Sequence, residues 1–197
     1  MVTQLHPSKI HWNYFLALER DMEAVARFVE FSERNFAVYS IELAHLLFAA
    51  ASEVDAVAKL LCKHVAPDSP CRNIDEYRGT LLRAFPGLPR DSVFIPRYGL
   101  VFEPWSAWEE DKNPPWWRAY NDVKHQRDAH FQDATLQNAL HALGALLLLT
   151  INYYAAVLPP PEYPTLLLRD ATSQLLPESS FLRLDASHYQ GAFILRR

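Results

Sequence analysis

The chain has 197 residues, 50% of them apolar, enough to bury one substantial core in a single domain with a small appendage. A formal net charge of −4 excludes a general nucleic-acid coat protein, which would be basic overall, but leaves room for a local cleft that handles RNA. Two cysteines and scattered histidines make no zinc-ligand spacing, and five glycines leave little room for a phosphate loop, so neither a metal nor a cofactor is expected.

The first predicted helix covers residues 8 to 33. Phe15, Leu18, Met22, Val25 and Val29 recur there at alternating spacings of three and four, a single apolar stripe. Tyr39-Ser40 opens a second helix over 38 to 65, striped by Leu43, Leu47, Ala50, Val54, Val57, Leu61 and Val65 and stopped by Pro67. The short link between them implies an antiparallel helical hairpin. Cys62 falls inside the second helix as a small core residue. With no secretory leader in view, a reducing cytoplasm is the expected location, and a Cys62–Cys71 bridge is disfavoured.

Residues 66 to 114 are punctuated by Pro67, Pro70, Pro86, Pro89, Pro96, Pro104 and Pro114. A short helix is predicted over 74 to 85 with Asn73 as its N-cap, followed by extended segments around Pro96 and Gly99. This stretch reads as an insertion lying over a helical bundle. Phe102, Trp105, Trp108, Trp116 and Trp117 anchor it as core or lid; a base-stacking platform is the sharper alternative.

A third helix is predicted over 115 to 131, with Pro115 in the first position, where its missing N–H costs nothing. The fourth covers 133 to 158 and ends at the triple proline 159–161. Residues 139 to 158 contain no Asp, Glu, Lys or Arg, the length of a membrane span. Because His141, Gly144, Thr150 and Asn152 interrupt it, a buried central helix is expected and no membrane partner. The tail offers three extended candidates, 165–169, 181–184 and 192–195, to pair with one another or with 92–102. The expected fold is all-α: an antiparallel four-helix bundle over 1–158, with the insertion at 66–114, and a tail over 159–197 packed on it.

The third helix carries the chemistry. Arg118 and His125 are seven residues apart, about 700° of rotation, so they point within about 20° of each other and lie about 10 Å apart along the axis. Asn121 shares their side, whereas Trp116, Tyr120, Val123 and Phe131 form an opposite stripe that should face the core. A guanidinium and an imidazole on one outward face suit a polyanion better than they suit packing. Lys124, Arg127 and His130 add positive character for RNA or phosphate, offset by Asp122 and Asp128.

An Arg and a His separated by AYNDVK, late in a bundle of long helices, resemble the HEPN domains (higher eukaryotes and prokaryotes nucleotide-binding). The resemblance covers residues 8 to 158 and implies a metal-independent endoribonuclease of the toxin or phage-defence kind. It implies a homodimer in which Arg118 and His125 of both chains meet in one cleft on an RNA substrate, with an antitoxin or another protein as a further partner. In that setting His125 acts as general base or acid, Arg118 holds the scissile phosphate, and Asn121 orients the imidazole or binds phosphate.

A structural reading competes at each position. Arg118 can pair with Asp122, four residues on, and His125 can hydrogen-bond a neighbouring loop or a carboxylate. Lys124 and Arg127 can pair with Glu53 or Asp55 in a polar network across the bundle. The module would then bind a nucleotide or a protein without cutting. His45 and His141 are expected to be satisfied structural histidines.

Overall fold

The computed structural model describes residues 8–157, 175 and 178–185. Six α-helices and a three-stranded antiparallel sheet make up the regular structure of these residues. Helix α1 spans Ile10–Val25 and α2 spans Ile41–Val65; α3 is Ile74–Ala84, α4 Pro115–His125, α5 the single turn Arg127–His130, and α6 Leu136–Val157. Strands β1 (Val93–Ile95) and β2 (Leu100–Phe102) form a hairpin, and β3 (Arg183–Leu184) pairs on the other side of β1. The strand order is therefore β2-β1-β3.

Local chemistry sets many boundaries. Ser40 caps α2, its hydroxyl accepting from the Leu43 amide at 3.1 Å. Asn73 caps α3 as expected, its side-chain oxygen accepting from the amides of Asp75 and Glu76. Thr135 does the same for α6 through the Asn138 amide. Gly99 turns the hairpin with φ 62, a left-handed conformation that suits a residue without Cβ.

Helix α6 is the centre of the molecule. It packs on α1, α2 and α4, and its residues from Ala142 to Ile151 are all buried. Its length and hydropathy would suit a membrane, but α1, α2 and α4 take the place of lipid. The stripes of α1 and α2 meet it, with Phe15, Met22, Leu43, Leu47, Val54 and Leu61 fully buried. Each such side chain contributes about 1.5–3 kcal/mol relative to leaving it in water.

Part of the 66–114 stretch packs against α6. Phe102 of β2 stacks on His141 of α6 with ring centres 4.7 Å apart, opposite Gly144. Trp105, Trp108 and Trp116 are buried together, with centroids 4.2 Å apart for the first pair and 5.2 Å for Trp105 and Trp116. The Trp116 indole N–H donates to the Pro104 carbonyl at 2.8 Å. These three rings are core and offer no stacking platform. Cys62 and Cys71 are both free and buried, and burial pushes the Cys62 thiol up, which keeps it protonated.

Several expected boundaries shift. Helix α1 stops at Val25 rather than near residue 33, because the chain turns to place Phe31 against Tyr98 and Phe181. The third predicted helix breaks at Gln126, whose φ of −140 leaves the helical region, so Phe131 lies beyond α4. The cause is tertiary: the amides of Leu136 and Gln137 donate to the carbonyls of Val38 and Phe36, and Phe131 packs edge-on to Tyr39. Tying the entrance of α6 to the α1–α2 link forces the chain to turn before residue 131. In the tail, 181–184 supplies β3, joined to β1 as expected; the 165–169 and 192–195 candidates lie outside the described residues.

Candidate functional site on helix α4

Helix α4 buries Trp116, Ala119, Tyr120 and Val123, one side of a wheel turning about 100° per residue. The other side must face outward, and it carries Arg118 and His125, both exposed, with Asn121 half-buried between them. Neither Arg118 nor His125 makes a hydrogen bond or ion pair with any described residue, so the Arg118–Asp122 pair does not form. Two donor-rich groups thus stand free, two turns apart on one rigid helix.

Of the two parts expected of Asn121, orienting the imidazole is not seen. Its amide donates to the Trp117 carbonyl at 2.9 Å, one turn back on its own helix, and does not reach the imidazole. Its carbonyl oxygen remains available to a ligand, but the orientation of His125 has to come from elsewhere.

The polar network expected around Glu53 and Asp55 exists with other partners. Glu53 binds the His11 ring nitrogen at 2.5 Å, and His11 sits edge-on to Tyr153 of α6. Asp55 pairs with Lys59 on its own helix and accepts from the Tyr77 hydroxyl of α3 at 2.7 Å. Burial, reinforced by that bond, pushes the Tyr77 hydroxyl well above its ordinary range. Lys124 and Arg127 therefore have no carboxylate from α2. The Lys124 ammonium lies 5.2 Å from the Tyr120 ring centre and donates to its hydroxyl at 3.1 Å. The Arg127 guanidinium lies 5.1 Å from the ring centre of Phe48. Both remain exposed, and neither forms an ion pair with a described carboxylate.

His130 stands apart from Lys124 and Arg127. Its ring nitrogen pairs with Asp133 at 2.9 Å, and one ligand atom from each of Asp122, His130 and Asp133 falls within 4.8 Å of the others. Two carboxylates beside the imidazole oppose phosphate binding, contrary to the expectation for His130. The same geometry could accommodate a cation, although all three side chains are only partly buried.

One feature of the surroundings had no signal in the sequence. Beside Lys124 and Arg127 runs a groove of about 500 Å³ that is also lined by Tyr14 of α1 and by His45 and Phe48 of α2. These residues look unremarkable on their own helices. Only the packing of α1 and α2 beside α4 brings them to one place.

No family model matches the chain, and no curated protein or solved structure matches it significantly.

Proposed function

We propose that this protein is a metal-independent endoribonuclease, of the toxin or phage-defence kind, working through Arg118 and His125 of α4. The observation that carries the reading is the free, outward placement of this guanidinium and imidazole on the same face of one helix. In the reaction His125 removes the ribose 2′-hydroxyl proton, and the resulting oxygen attacks the adjacent phosphorus. The bond to the 5′-oxygen breaks and that oxygen takes up a proton, leaving a cyclic phosphate and a free 5′-hydroxyl. Arg118 stabilises the charge gathered on the phosphate oxygens.

A second copy supplies what one chain lacks. Two α4 faces meeting across a twofold axis would place two imidazoles on one phosphate, one as base and one as acid. In this reading α1, α2, α4 and α6 act as the four-helix bundle that presents the face. In the same reading the protein works in the cytoplasm, with an antitoxin or another protein as its further partner.

A second reading, a non-catalytic module that binds a nucleotide or protein on the same face, is favoured by one observation. Asn121 bonds to its own helix, so no described residue of the chain orients His125. Incubation of purified protein with total RNA in excess EDTA, beside His125→Ala, separates the two. Cleavage by the native protein alone supports the nuclease; two folded but inert proteins leave the binding module.

A further inference from the structure

We propose that the groove between α1, α2 and α4 is a subsite for one unpaired nucleotide of a single-stranded RNA, with its base on Tyr14 and its phosphate on Lys124 and Arg127. The proposal rests on the reading of the α4 face as the place where RNA is cut, and names how that RNA is held.

Size and lining both fit. The groove holds about 500 Å³, within the ~300–1,000 Å³ of small-ligand sites. Among its lining residues are the cations Lys124 and Arg127, and no carboxylate. A purely apolar partner helix would leave this ammonium and guanidinium desolvated and without a counter-charge, whereas a phosphate satisfies them. Lys124 and Arg127 each rest against an aromatic ring, which limits their motion without using their remaining N–H donors. They are anchored charges aimed at an anion.

Tyr14 supplies the flat partner. It is 42% exposed, and no other aromatic ring among the described residues packs on it. A ring with a free face is what a base stacks on. The anion and the base must belong to one molecule to use both features at once. Lys124 also precedes His125 directly, so a strand leaving the groove along α4 passes the imidazole and then Arg118. Bases locked in a duplex cannot turn into such a groove, which selects a single strand.

The test uses His125→Ala as a cleavage-silent background and measures anisotropy of a labelled short single-stranded RNA and of a ribose-phosphate strand of equal length without bases. Adding Tyr14→Ala should weaken RNA binding about 5- to 100-fold while leaving the base-free strand unchanged, as expected for the loss of one stacked base. Adding Arg127→Ala should weaken both strands and lower the salt dependence by about one ion. Both side chains are exposed, and circular dichroism checks that the variants stay folded. The subsite is overturned if Tyr14→Ala leaves RNA binding unaltered, if it weakens both strands equally, or if neither strand binds. Cleavage by the native protein without a Tyr14 effect sinks the subsite alone; a Tyr14 effect without cleavage sinks the nuclease alone.

Discussion

The carboxylate of Glu19, in the middle of α1, accepts the Ser179 hydroxyl at 2.5 Å across 160 residues of chain. The same oxygen also accepts the amides of Phe181 and Leu182 at 3.0 and 2.8 Å, and all of this is buried. One buried acid on the first helix therefore holds the segment that becomes β3.

Glu19→Ala should cost about 2–4 kcal/mol, because it leaves two buried amides without an acceptor, while the Ser179 hydroxyl keeps the Leu182 carbonyl at 2.6 Å. Glu19→Gln keeps one oxygen in reach of all three donors and should cost much less. Urea denaturation measures both, and proteolysis near residue 180 should accelerate only in the alanine variant.

Gly144 of α6 leaves room for Phe102. A Cβ there would meet the Phe102 ring at 2.7 Å and a Val93 methyl at 3.3 Å. Since Phe102 is held by His141, Gly144→Ala should destabilise by about 1–3 kcal/mol. Combining it with Phe102→Leu should recover part of the loss, giving a clear coupling term in a double-mutant cycle.

His141 makes stability sensitive to mild acid. Burial pulls its pKa down from 6.5 to about 4. Above pH 6.5 both folded and unfolded forms hold it neutral and stability is full. As pH falls from 6.5 towards 4 the unfolded chain takes up a proton that the folded one refuses, and up to about 3 kcal/mol is lost. Below pH 4 this contribution levels off. His141→Leu should flatten that part of the stability–pH curve, as read by chemical denaturation between pH 4 and 7.

Arg118→Ala and His125→Ala should leave stability within about 0.5 kcal/mol of the native protein, since neither side chain holds any described residue. Each should lower RNA cleavage by about 10²–10⁴-fold. Loss of cleavage accompanied by a large fall in melting temperature would instead make them structural.

The long helices were legible because their stripes keep one period over many turns: Leu43 to Leu61 of α2 is buried as its spacing demands. Asn73 was readable as a cap because capping is local, whereas Ser40 was placed only at the opening of the second helix, which it caps. The end of α4 was not, since Gln126 and Arg127 are acceptable helix residues and the break is imposed by Leu136 bonding to Val38. The outward side of Arg118 followed from the α4 wheel alone. The partners of Glu53 and the groove beside Lys124 could not follow, because they depend on how helices distant in sequence cross.

The concealment of α6 bears on how the protein is made. Its uncharged stretch leaves the ribosome after α1, α2 and α4 but before the segment that Glu19 anchors. A newborn chain must offer it the α1–α2 pair promptly, because until then it is an adhesive rod that insertion machinery, chaperones or a sister chain would take up. Slow pairing of α1 with α2 therefore leads to misrouting or aggregation, and a change that loosens those two helices should reduce yield before it reduces the stability of molecules already folded.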